Sequence, residues 1–137
     1  MKYMTMVKVD RNCEAARNYE AGMPPDARFA AAMEKLMDEM IKSGAMVDTA
    51  GLLPLSKGAK IRASGGKLMM TDGPFIESKE IIGGYAILRA KSKEEALKMG
   101  KDFMQLHLDI LGPSYEGELE IRQMFDLADI ASEGANK

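Results

Sequence analysis

Tyr3, Thr5, Val7 and Val9 alternate with Met4, Met6 and Lys8, so a strand over residues 3–9 has two largely apolar faces, as a central strand covered on both sides does. Asp10 to Gly22 is charged and small-residue-rich, without a consistent apolar stripe, and closes on Gly22-Met23-Pro24-Pro25; it reads as a long loop with at most one helical turn. Phe29, Met33, Leu36, Met37, Met40 and Ile41 then recur at helical spacing, with Pro25 or Asp26 suited to start the helix and Ser43-Gly44 to stop it. Ala45 to Leu55 predicts a strand. A second short strand over Ala59–Ala63 turns through Ser64-Gly65-Gly66 into Lys67–Thr71, because adjacent glycines supply the positive φ of tight hairpins.

Ile82 to Arg89 predicts a further strand, in which Gly83-Gly84 marks a bulge or a close backbone approach. Ser92-Lys93-Glu94-Glu95 is a capping box opening a helix to about Leu111, where Gly112-Pro113 stops it. Leu119, Ile121, Gln123 and Phe125 alternate with Glu118, Glu120, Arg122 and Met124 in a last, half-buried strand. The order is β-α-β-β-α-β with an extra hairpin, an α+β, ferredoxin-like plan with two helices on one face of an antiparallel sheet. The other face is left bare and partly apolar, so a homodimer with two sheets face to face is expected. Residues 1–130 form one domain in this reading and 131–137 a frayed tail.

Composition narrows the function classes. A chain of 137 residues, 46% hydrophobic, suits one core. Cys13 is the only cysteine, which removes any intramolecular disulfide or multi-cysteine metal site and fits a cytoplasmic setting. Nineteen basic against 21 acidic residues, and no tryptophan, argue against a nucleic-acid partner. No apolar run has the length of a membrane span.

The densest polar cluster is Thr71-Asp72-Gly73-Pro74-Phe75-Ile76-Glu77-Ser78-Lys79-Glu80. Its plain reading is a tight turn, with Gly73 at positive φ and Phe75 inserted into the core. Its chemical reading is acid–base work by Asp72, Glu77 and Glu80 beside Lys79 if the group is partly buried. This segment resembles the signature of the YCII-related DGPF-domain family. Gly51-Leu52-Leu53-Pro54, Ile61-Arg62, Ile82-Gly83-Gly84-Tyr85 and Gly117-Glu118-Leu119-Glu120-Ile121-Arg122 stand in the order that family uses. The resemblance spans Tyr3 to Phe125 and implies a dimeric α+β barrel without a settled reaction. Ile76 and Ser78 depart mildly from the family pattern. The histidine of the related branch's proposed His–Asp pair, near the first helix, has no counterpart here.

His107, the single histidine, shares one side of its helix with Ala96, Gly100, Phe103 and Ile110. It reads either as a hydrogen-bonded core residue or as a general base lining a pocket. His107, Asp72 and Glu80 are the catalytic candidates. Arg62, Glu77, Glu120 and Arg122 are the candidates for holding a small polar or anionic ligand, with the hairpin of Arg62 taken to neighbour the last strand. No metal site and no cofactor are expected: the methionines read as core, and the glycine pairs lack the strand-to-helix setting of a phosphate loop. Two functions compete. One is a small-molecule binding or catalytic cleft between helices and sheet; the other, which the family resemblance implies, is a non-enzymatic regulatory module linked to transcription beside an alternative sigma factor.

Overall fold

The computed structural model describes residues 1–74 and 79–126. Strand β1 (Lys2–Asp10) runs through the middle of the main sheet, followed by α1 (Glu14–Glu20), α2 (Ala27–Lys42) and β2 (Met46–Gly51). The hairpin strands β3 (Ala59–Ser64) and β4 (Lys67–Asp72) come next, then β5 (Glu80–Arg89), α3 (Lys93–Leu111) and β6 (Gly117–Gln123). The sheet order is β2-β5-β1-β6, every pairing antiparallel, so the ferredoxin-like α+β plan is present. The hairpin forms a separate two-stranded sheet and does not neighbour β6, as the sequence reading of Arg62 supposed.

The helix ends follow the local chemistry. The Asp26 carboxylate accepts from the Arg28 amide at 2.8 Å, and hydrogen bonding from the Arg28 guanidinium, then from that amide, holds its pKa below the usual carboxylate value. The Ser92 hydroxyl accepts from the Glu95 amide at 3.2 Å. Glu95 reaches back to the Lys91 amide at 3.4 Å, one residue before the cap itself. At the other end Gly112 takes a φ of 83°.

Three expectations are corrected. Asp10 to Gly22 contains seven helical residues, because Cys13 and Ala16 tuck against Ile81; two small inward positions are too few to register as a stripe. Strand β2 ends at Gly51 rather than Leu55, and Leu53 is 77% exposed as the chain approaches Pro54, which has no amide to donate. Gly73 has no positive φ; its bond to Pro74 is cis, and what demands glycine is space, since a Cβ there would sit 1.7 Å from the Leu55 carbonyl oxygen.

Cross-strand partners share a face. Tyr3, Thr5, Val7 and Val9 stand with Leu88, Ala86, Gly84 and Ile81 on the helix side. Gly83 is the extra residue of a bulge, opposite the step from Val7 to Lys8. At Gly84 a Cβ would lie 2.8 Å from the Ala50 carbonyl oxygen, so strands β2 and β5 meet there only through glycine. Two clusters of buried residues sit at opposite ends of β1. Tyr3, Ala90 and Ala96 pack with Met99 and Ile121 at one end; Cys13, Ala16 and Ile81 pack with Val9, Tyr19 and Leu55 at the other. Among the described residues, no helix is long and apolar enough to cross a membrane.

Candidate functional site

Between the two clusters the helices stand off the sheet and leave a cleft of about 970 Å³. Its floor is the helix side of β1 and β5, including Thr5, Val7 and Ala86; α2 contributes Met33, Met37 and Met40, and α3 contributes Phe103 and His107. Thr5 presents little polarity, because its hydroxyl donates to the Ala86 carbonyl at 3.0 Å. No residue of α2 is fully buried, since its apolar stripe faces the cleft rather than packed atoms. Ile41, the last residue of that stripe, is 58% exposed.

His107 is 5% exposed and is surrounded by rings. Phe29 meets it edge-on with centroids 4.8 Å apart, Phe103 lies at 4.7 Å and Tyr115 at 5.1 Å. Its Nδ1 stands 2.9 Å from the Phe103 carbonyl, one turn back on α3. A carbonyl only accepts, so Nδ1 carries the hydrogen and Nε2 of the neutral ring is an acceptor. Burial pushes the pKa below the ordinary histidine value, partly offset by the bond to Phe103, so the ring is neutral at pH 7.

Tyr115 also lines the cleft. Burial, with a smaller contribution from nearby Cys13, pushes its phenol up to about 12. Its ring lies against Gly117, where a Cβ would fall 2.3 Å from the hydroxyl. The Tyr19 phenol is raised too, by burial and then by Glu20. Both hydroxyls are buried without a hydrogen-bond partner among the described residues, an arrangement that costs about 1–3 kcal/mol for each group. The neutral donors and the one neutral acceptor around His107 suit hydrogen bonding and proton transfer, while the charged Glu14, Asp26 and Arg28 also line the cleft.

The other candidates lie elsewhere. Asp72, at the end of β4, and Glu80, at the start of β5, are exposed and outside the cleft wall. Arg62 is on the exposed hairpin. Glu77 lies outside the described residues, as do the neighbouring Phe75, Ile76 and Ser78 and the 127–137 stretch that holds the expected tail. Glu120 and Arg122 share the outer sheet face with Lys8; Glu120 binds Lys8 at 2.8 Å and Arg122 at 3.1 Å. That hydrogen bond lowers the Glu120 pKa and raises that of Lys8. Of the six candidates among the described residues, only His107 is in the cleft. Among the described residues, no group of three or more histidine, cysteine or carboxylate side chains is placed to hold a metal ion.

Phe29, Tyr19 and Tyr115 were not legible as site residues. Phe29 belongs to a stripe that reads as core, and Tyr115 follows a helix stop, where a loop residue carries no periodic signal. Only the Tyr115-Glu116-Gly117 spacing hints that a ring could fold back over a glycine.

Residues 1–103 match the model of the YCII-related domain. An uncharacterized protein of Rhizobium meliloti (strain 1021) is 29% identical over 99 residues, which cover 72% of this chain and 75% of that protein. The match takes in β1 through the first half of α3, the segment that supplies the cleft floor and α2, and on it the chain belongs to the YCII-related domain family.

Proposed function

We propose that the cleft binds a small, mainly apolar organic molecule through a hydrogen-bond donor presented to His107 Nε2, and that the working unit is a homodimer. The observation carrying the first part is a buried, neutral histidine with its tautomer set by Phe103, in the wall of an apolar cavity. Such a ring accepts a proton from a bound hydroxyl or activated C–H, and the Tyr115 phenol, protonated throughout the physiological range, is available to stabilise developing negative charge. His107 thus holds the proton-accepting position, while Asp72 and Glu80, exposed outside the wall, take no part.

The test is native mass spectrometry against a panel of phenols, cyclic ketones and apolar acids, repeated with His107→Phe, which keeps ring packing and removes Nε2. A bound compound whose affinity falls about tenfold in the variant, the worth of one hydrogen bond, supports the reading. Equal binding by both proteins refutes it.

The outer sheet face carries the second part. Met4, Met6, Tyr85 and Ile87 form an apolar stripe between the Lys8–Glu120–Arg122 ion pairs and Asp48, which accepts from the Tyr85 hydroxyl at 3.0 Å. A second copy stacked on this stripe covers it in an isologous interface. Sedimentation equilibrium at micromolar concentration gives a dimer mass if this holds and a monomer mass if it does not.

A further inference from the structure

The cleft is polar at one end only. Phe29, whose ring meets His107, and Met40 both line it from α2, so at ~1.5 Å per helical residue it runs about 16 Å beneath that helix. Register and contacts fix its two ends. At the far end Met99 packs with Tyr3, Leu88 stands opposite Tyr3, Met46 stands opposite Leu88, and Met40 shares a smaller depression with Met99. At the near end Tyr115 lies against His107 and beside Cys13, whose cluster holds Val9, Ile81 and Tyr19.

Polar side chains sort along the same axis. Among the described residues, the charged groups of the wall are Glu14, next to Cys13, and Asp26 and Arg28, next to Phe29; Asn18, Tyr19 and Ser114 join them at the near end. His107 Nε2 has no partner among the described residues and, unlike the Tyr19 and Tyr115 hydroxyls, is not sealed from water-sized space, so it opens on the cleft. The hydroxyls further along are already committed. Thr5 donates to the Ala86 carbonyl at 3.0 Å, Thr49 to the Tyr85 carbonyl at 2.9 Å, and the Tyr85 phenol to Asp48 on the outer sheet face. The far end is left to Met37, Met40, Met46, Leu88 and Met99, and thioether side chains adapt to the shape that lies against them.

Size points the same way. About 970 Å³ is at the upper end of the ~300–1,000 Å³ of small-molecule sites, so a head group held at His107 leaves the far end unfilled.

We propose that the cleft takes an amphiphile in one direction only: a hydroxyl-bearing head at His107 and a hydrocarbon tail running under α2 to Met40, Met46 and Met99. This inference rests on the His107 reading above and adds the length and direction of the ligand. The reverse orientation strips water from the hydroxyl against methionine and leucine side chains, which return no hydrogen bond of comparable strength.

The test is calorimetric titration of the full chain with para-ethyl-, para-butyl- and para-octylphenol. Wild-type affinity is expected to rise about fourfold with each methylene, as for one buried CH₂, up to the octyl compound. His107→Phe is expected to lower all three affinities by a similar factor, because head and tail bind at separate places. Met40→Trp narrows the far end and puts the chain's only tryptophan there. It is expected to leave para-ethylphenol unchanged, to weaken para-octylphenol at least about tenfold, and to shift its emission when the octyl compound binds. Met46→Phe, on β2 at the same end, repeats the test should Met40→Trp misfold. Equal wild-type affinity for the ethyl and octyl compounds, with the His107→Phe loss intact, overturns the tail and leaves the His107 reading standing. A rise with chain length that neither far-end variant blunts also overturns it, and places the tail elsewhere, as on the β3–β4 hairpin, an arm whose strand residues are all exposed. Binding that His107→Phe leaves unchanged overturns both readings. If none of the three compounds binds, the inference falls, and the ketones and acids of the wider panel decide the His107 reading by themselves.

Discussion

Gly73→Ala isolates one contact at the root of the arm. The Gly73 amide donates to the Gly58 carbonyl at 2.9 Å, closing the hairpin, and its Cα faces the turn at Leu55–Lys57. A Cβ would lie 1.7 Å from the Leu55 carbonyl oxygen and 2.7 Å from its carbon. Both are backbone atoms, so no rotamer change relieves the overlap; the arm root or the turn has to move. Movement of the turn disturbs Leu55, which packs against Cys13, Ala16 and Ile81 and whose amide donates to the Glu20 carboxylate at 3.1 Å. Ordinary overpacking costs about 1–3 kcal/mol, and a backbone clash of this depth belongs at the top of that range. For a chain of this length about 3 kcal/mol lowers the melting temperature by roughly 10 °C. Thermal unfolding followed by circular dichroism reads the shift. Because the obstacle is the Cβ itself, Gly73→Val is expected to cost little more than Gly73→Ala. A melting temperature for Gly73→Ala within about 2 °C of wild type would refute the argument.

Ser92→Ala removes the cap of α3 and is expected to cost about 1 kcal/mol, measured by urea unfolding. Tyr115→Phe deletes a buried hydroxyl that has no partner among the described residues, so the unliganded protein is expected to hold or gain up to about 1 kcal/mol in the same assay, and a loss of more than that would show that the hydroxyl is bonded. For His107, the folded pKa lies below the unfolded one, so between the two values the unfolded chain binds more protons and stability rises with pH. The contribution is complete above about pH 6.5 and declines below it. The C2 proton of this single histidine, followed by NMR, is expected to titrate below that value, with the slope absent from His107→Phe; an unshifted titration would place the ring in water.

Much of the fold was legible because its signals are local. The capping box at Ser92, the stripe from Phe29 to Met40, the bulge at Gly83-Gly84 and the turn at Gly65-Gly66 each lie within a few residues of what they specify. Helix α1 was missed because its inward residues, Cys13 and Ala16, are small and gain their meaning from Ile81, about 65 positions away. The same limit governs the site. His107 announced itself by chemistry, as the one histidine on an apolar helix face, whereas Tyr19 and Tyr115 reach the cleft by tertiary packing that no periodicity encodes. Asp72, Glu77 and Glu80 are close in sequence, but proximity in a loop does not bring carboxylates into a cavity, and Asp72 and Glu80 are in fact exposed outside it.

The arrangement of α2 joins stability to the proposed function. Its apolar positions Phe29, Met33, Met37 and Met40 repeat as strongly as those of any core helix, yet none is fully buried, because they face the cleft. Packed interiors leave few voids larger than a water molecule, so a helix held over a cavity of this size forfeits much of the dispersion and burial energy its sequence offers. Methionine tolerates this better than branched side chains, since its flexible thioether adapts to irregular surfaces and to whatever fills them. A ligand entering the cleft supplies the missing contact atoms to α2 and the sheet floor at once. Its binding therefore stabilises the fold by linkage, about 2.7 kcal/mol at a free concentration 100 times the dissociation constant. Hydrogen exchange checks this directly: amides of α2 are expected to exchange faster than those of α3 in the free protein, and a compound that occupies the cleft is expected to slow α2 most. A compound that binds and protects all three helices equally would show that it sits elsewhere.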